Sequence, residues 1–124
     1  MILVDTSVWI DHLRSSEPEL VSALNAGQIL MHPFVVGELA CGKLRNRQEL
    51  LSLLRNLPEA PVATQDQALS FIDQHRLMGR GIGYIDAHLL AATALGPSTR
   101  IWTRDKRLTN LAIDLNLNFV PVFH

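Results

Sequence analysis

Ile2-Leu3-Val4-Asp5-Thr6-Ser7-Val8-Trp9 is the stretch on which the fold turns. Ile2, Leu3 and Val4 form a short, wholly apolar run, the pattern of a strand covered on both faces of a sheet. Asp5, Thr6 or Ser7 then supplies an N-cap for a helix running towards Arg14.

Outward from there, strands and helices alternate. Pro18 to Ala26 predicts a helix stopped by Gly27. Gln28 to Met31 reads as a short strand, and Pro33 opens an apolar helix reaching about Leu44. Leu50, Leu53, Leu54 and Leu57 fall on one helical stripe, ended by Pro58 and Pro61. Thr64 caps a further helix with Ala68, Phe71, Ile72 and His75 on one face. Gly79, Gly81 and Gly83 predict a flexible loop. Ile85 to Leu95, apolar nearly all round, predicts a buried helix ended by Gly96-Pro97. Arg100 to Thr103 reads as a strand, Leu108, Leu111, Ala112 and Leu115 mark a last helix, and Phe119 to Phe123 a closing strand. Strands separated by helices predict an α/β fold with a mainly parallel central sheet between helical layers. Ligands of such folds bind outside the carboxyl ends of the strands.

The 124 residues, 48% of them hydrophobic and 19% charged, suit a single domain covering 1–124 and exclude a disordered chain. No apolar run approaches the ~18 residues that cross a bilayer. The start lacks the basic region of a signal peptide, and the one cysteine, Cys41, allows no internal disulfide. A cytoplasmic protein without membrane attachment is the expectation. A net charge of −1 excludes a uniformly basic, nucleic-acid-coating surface. The five histidines show no zinc-type spacing.

Of the 12 acidic residues, Asp11, Glu17, Glu19, Glu49, Glu59, Asp66, Asp73 and Asp114 fall in amphipathic helices, near helix starts or in polar loops. There they read as solvated or helix-dipole charges. Asp5, Glu38, Asp86 and Asp105 differ, because apolar runs precede, follow or flank them. A carboxylate in such surroundings pays a desolvation cost unless compensated. Asp5, Asp86 and Asp105 could be N-caps, but a mid-helix Glu38 caps nothing. Should the four converge, repulsion would raise their pKa values or demand a cation. Oxygen donors alone favour a hard ion such as Mg²⁺ or Mn²⁺.

Four segments carry a resemblance. Val4-Asp5-Thr6-Ser7-Val8-Trp9-Ile10-Asp11, Pro33-Phe34-Val35-Val36-Gly37-Glu38-Leu39, Gly83-Tyr84-Ile85-Asp86-Ala87-His88-Leu89-Leu90-Ala91 and Trp102-Thr103-Arg104-Asp105-Lys106-Arg107-Leu108 follow one another as in the PIN-domain ribonucleases. The chain resembles, specifically, the VapC toxins of bacterial type II toxin–antitoxin pairs. Leu108 stands where many relatives carry an aromatic residue. The resemblance implies a three-layer α/β/α PIN-like domain with Asp5, Glu38, Asp86 and Asp105 as the metal-binding, catalytic acids and Thr6 and Thr103 as supporting hydroxyls. It further implies an endoribonuclease using one or two Mg²⁺ or Mn²⁺ ions on transfer or ribosomal RNA. Such a toxin would inhibit translation or growth, form a homodimer, and be neutralised by a VapB-like antitoxin whose tail covers the active site.

The residues themselves favour metal-assisted hydrolysis, since no Ser-His-Asp or Cys-His arrangement offers a nucleophile. Glu38 reads either as a ligand or as the group accepting a proton from the attacking water. Lys43, Arg45, Arg47, Arg80, Arg104, Lys106 and Arg107 form a candidate basic rim for RNA phosphates. Trp9, Trp102, Cys41 and a hydrogen-bonded His75 read as core residues, and His88 as structural or substrate-touching. A phosphoacceptor receiver domain fits poorly, because Thr6-Ser7 follow Asp5 and Lys106 adjoins Asp105. A haloacid-dehalogenase-like phosphatase would need an acid at Ser7, and a non-catalytic RNA- or protein-binding module has no use for a complete acid set.

Overall fold

The computed structural model describes residues 1–121. Its sheet has three parallel strands in the order β2-β1-β3: β1 (Ile2–Val4), β2 (Ile29–Leu30) and β3 (Arg100–Trp102). Leu3 pairs with Leu30 on one side and Ile101 on the other. Alternate residues of a strand point to opposite faces, yet Ile2, Leu3 and Val4 are all buried. Both faces are therefore covered, as the apolar run requires, and the fold is the three-layer α/β/α arrangement expected.

Seven helices surround the sheet among the described residues: α1 (Thr6–Arg14), α2 (Pro18–Asn25), α3 (Pro33–Ala40), α4 (Arg47–Arg55), α5 (Gln65–His75), α6 (Tyr84–Leu95) and α7 (Lys106–Asp114). The local signals explain most of their ends. Pro18 and Pro33 occupy first helical positions. After α2, Gly27 takes φ +68°, a left-handed turn open to glycine at little cost. Thr64 Oγ1 accepts from the Gln67 N–H at 3.1 Å while Gln67 Oε1 accepts from the Thr64 N–H at 2.8 Å, a reciprocal cap on α5. Ala87 through Thr93 of α6 are all buried, matching its all-round apolarity.

Four boundaries differ from expectation. The helix from Pro33 ends at Ala40 rather than near Leu44; the Arg47 guanidinium donates to the last helical carbonyl, Ala40 O, at 2.6 Å and to Gly42 O just beyond the helix at 3.2 Å. The strand from Gln28 shrinks to Ile29–Leu30, with Met31 bridging to Glu59, and the β3 strand stops at Trp102, before Thr103. On α4, Leu54 is buried and Leu50 and Leu57 pack against the core, but Leu53 is 60% exposed. Among the described residues, the closing stretch shows no strand but a parallel bridge between Asn118 and Ile101, with Phe119 against Trp102 at 5.3 Å; Val122 and Phe123 lie outside the described residues. No helix among the described residues is long and apolar enough to cross a membrane.

Candidate active site

Because the strands are parallel, their carboxyl ends share one edge, and β1 lies between two strands reached by divergent connections. The chain leaving β1 therefore enters the switch point at which α/β folds bind ligands. Asp5 is the first residue past β1 and Thr103 the first past β3.

Asp5 is only 6% exposed. It occupies the N-cap position of α1, but its side chain caps nothing. Its Oδ2 instead accepts from Thr103 Oγ1 at 2.7 Å and from Ser7 Oγ at 2.9 Å. Asp105 keeps the capping role anticipated for it, with Oδ1 accepting from the Leu108 N–H at 2.9 Å, and is otherwise exposed.

Glu38 reaches the same edge from α3. Val35 and Leu39 face the core, whereas Glu38 is exposed and its Oε1 accepts from Thr6 Oγ1 at 2.7 Å. Apolar sequence neighbours thus misjudged its surroundings, because successive residues of a helix point about 100° apart and so face different surroundings. The start of α3 is capped by His32, whose Nδ1 accepts from the Phe34 N–H at 3.0 Å. Burial first, and the nearby His88 second, lower the His32 pKa to about 4, so Nδ1 stays available as an acceptor at neutral pH.

Asp86 lies in the first turn of α6, half-buried, with Oδ2 accepting from the Gly83 N–H at 3.3 Å. Its pKa is raised, chiefly by burial; the Gly83 bond opposes this, and the charges of Asp5, Asp105 and Glu38 add to the rise. Asp86 thus feels all three other acids, and the four expected carboxylates share one patch. Among the described residues no three acidic, histidine or cysteine side chains are placed closely enough to hold a metal ion as they stand. The donor chemistry nonetheless suits a hard divalent cation: four carboxylates, of which Asp86 is kept from ionising easily first by burial and only secondarily by the other three.

The flanking residues sort themselves by burial. Trp9 and Trp102 are core residues. His88 is 4% exposed, its ring edge-on to Tyr84 at 4.6 Å and Phe34 at 4.9 Å, and burial lowers its pKa. It joins α6 to α3 as packing. His75 is half-buried against Phe71 at 4.5 Å rather than enclosed. Cys41, expected in the core, is exposed, because it follows the last turn of α3.

The basic rim divides. Arg104 pairs with Asp11 and, at 3.0 Å, with Glu17, and those bonds raise its pKa. Arg80 pairs with Asp114 at 3.2 Å, Arg47 serves the end of α3, and Arg107 lies across Gly81, whose carbonyl accepts from it at 3.4 Å. A Cβ on Gly81, at φ +82°, would come within 2.8 Å of the Arg107 side chain. Lys43, Arg45 and Lys106 are exposed. Lys43 and Arg45, with Arg14, edge a groove of about 780 Å³ whose apolar lining includes Ile10, Leu13 and Leu53, and Glu38 forms part of its wall.

Sequence reasoning missed Ser7, read there only as a possible cap. The only local signal was a hydroxyl two residues beyond Asp5; its other partners, Thr103 and Arg104, come from the far end of the chain.

Comparison with known proteins identifies the family. The PIN domain family model matches residues 2–114. Two curated relatives, both named Ribonuclease VapC32, come from Mycobacterium tuberculosis strains CDC 1551/Oshkosh and ATCC 25618/H37Rv; each is 50% identical over 108 residues, 87% of either chain. A family match over nearly the whole chain, and half-identity across most of it, lead to one conclusion: the chain belongs to the PIN-domain family, in its VapC-type branch.

Proposed function

We propose that this chain is a metal-dependent endoribonuclease, the toxin of a type II toxin–antitoxin pair, which hydrolyses RNA phosphodiester bonds and so inhibits translation or growth until an antitoxin neutralises it. The carrying observation is the gathering of Asp5, Glu38, Asp86 and Asp105 at the strand edge, with Asp86 under the charge of the other three. The curated relatives' name, ribonuclease, supports the same reading.

Asp5, Glu38, Asp86 and Asp105 would hold one or two Mg²⁺ or Mn²⁺ ions. Bound there, the cation would supply activation of a water and charge neutralisation on the phosphate. Asp5, with Oδ2 held by two hydroxyls, would offer its other oxygen to the ion. Thr103 orients Asp5, and Thr6 holds Glu38 through Oε1, leaving Oε2 either to complete the ligand set or to accept the proton of the attacking water. Asp86 and Asp105 are the further acids, each oriented by a backbone N–H.

The substrate is RNA, of transfer or ribosomal type, steered by exposed cations that include Lys43, Arg45 and Lys106, with Arg47, Arg80, Arg104 and Arg107 each bonded to a carbonyl or carboxylate as well. The partner is a VapB-like antitoxin, whose tail would run along the groove beside Glu38. The working form is a cytoplasmic homodimer of one domain, residues 1–124. Purified protein should cleave RNA with Mg²⁺ or Mn²⁺, and EDTA or Asp5→Ala should abolish this. Cleavage persisting in Asp5→Ala would overturn the proposal.

A further inference from the structure

Two hydroxyls converge on one oxygen of Asp5, and they are wired alike. Thr103 Oγ1 donates to Asp5 Oδ2 and accepts from the Asp105 N–H at 3.1 Å. Ser7 Oγ donates to the same Oδ2 and accepts from the Arg104 N–H at 3.0 Å. The two hydroxyl oxygens lie 3.4 Å apart. A hydroxyl has one proton to give and lone pairs to receive. With its proton on Asp5, each hydroxyl can receive one amide, and two successive amides of the β3–α7 loop fill those places.

The side chain of Arg104 adds a second tie, reaching Asp11 on α1 and Glu17 just before α2. The loop carrying Asp105 is therefore clamped to the start of α1 at two points. One is the Ser7 hydroxyl at the site; the other is the Arg104 guanidinium about one helical turn further along. Without Ser7, Asp5 Oδ2 would keep a single donor and the Arg104 amide would lose its acceptor.

We propose that Ser7 is a positioning residue: its hydroxyl sets the rotation of the Asp5 carboxylate and, through the Arg104 amide, the placement of Asp105 relative to it. The assignment rests on the reading of this patch as a cation-dependent nuclease site. In this role Ser7 acts through the two acids, as groups behind metal ligands do.

The test compares wild type, Ser7→Ala and Ser7→Thr by three readouts: Mn²⁺ affinity by calorimetry, RNA cleavage separated into kcat and KM, and hydrogen exchange of the Arg104 amide. Ser7→Ala should bind Mn²⁺ roughly 10- to 100-fold more weakly. Its kcat should fall with KM for RNA unchanged, and exchange at Arg104 should accelerate while the metal-free melting temperature stays near that of wild type. Ser7→Thr, which keeps the hydroxyl, should restore all three. Wild-type affinity and kcat in Ser7→Ala, or unchanged exchange at Arg104, would overturn the assignment. If wild type itself neither binds Mn²⁺ nor cleaves RNA, the nuclease reading falls, and the Arg104 exchange comparison still decides the clamp.

Discussion

Asp5 and Asp105 hang from the ends of β1 and β3, whereas Glu38 and Asp86 ride on α3 and α6, and the two pairs are held in different ways. The strand-end pair is tied by a ladder bond, Asp5 N–H to Trp102 O at 2.9 Å, and by the hydroxyls of Ser7 and Thr103. The helix pair depends on packing: the His32 cap on α3, and the row of Phe34, His88 and Tyr84 between α3 and α6. One half of the site is set by hydrogen bonds within and beside the sheet. The other follows wherever two helices are packed, so the halves should fail differently.

The largest effect should come from the strand-end pair. Asp5→Asn keeps the size of the side chain but removes its charge, and RNA cleavage should fall about 10³-fold, the several kcal/mol that a cation supplies to a phosphoryl transition state. The melting curve without metal should survive this change.

Next comes the helix pair, by way of acid. His32 is enclosed and neutral, with a pKa lowered to about 4 against 6.5 in an unfolded chain. Between those values the unfolded state binds more protons, so stability is complete above pH 6.5 and declines as pH falls towards 4. The loss should reach about 3 kcal/mol, measured as denaturant midpoints across the window. His32→Asn offers an N-cap acceptor that does not titrate, so the slope should flatten; an unchanged slope would remove His32 from the account.

Smaller effects separate the supporting hydroxyls. Thr103→Val should weaken Mn²⁺ binding by about 10- to 100-fold. Thr6→Val, which releases only an exposed Glu38, should cost less than tenfold, and equal losses would break the contrast between the two halves. Smallest is the rim. Lys43→Ala and Arg45→Ala, beside the helix half, should each lower the salt slope of RNA binding by about 1. Arg104→Ala should change it less, since that guanidinium is already committed to Asp11 and Glu17.

The same division explains what could be read from the sequence. Ile2-Leu3-Val4 announced a strand buried on both faces because composition alone carries that signal, and Pro18, Pro33, Thr64 and Gly27 marked helix ends because caps are local chemistry. The four acids stood out by motif, although the argument from apolar neighbours held only for Asp5 and in part for Asp86. For Glu38 and Cys41 it failed, since linear proximity to apolar residues says little about which way a helix face points. Ser7 was illegible for another reason: its significance depends on Thr103 and Arg104, brought beside it only when β3 pairs with β1. The helix end at Ala40 was hidden likewise, because Arg47 folds back to cap it from the next element.

A crystal of the protein soaked in Mn²⁺, with its manganese located by anomalous scattering, tests the central claim most directly. The account predicts a peak at the strand edge among Asp5, Asp86 and Asp105, within reach of Glu38, and no such peak in Asp5→Asn. Manganese bound elsewhere, or absent from this edge at saturating concentration, would contradict it.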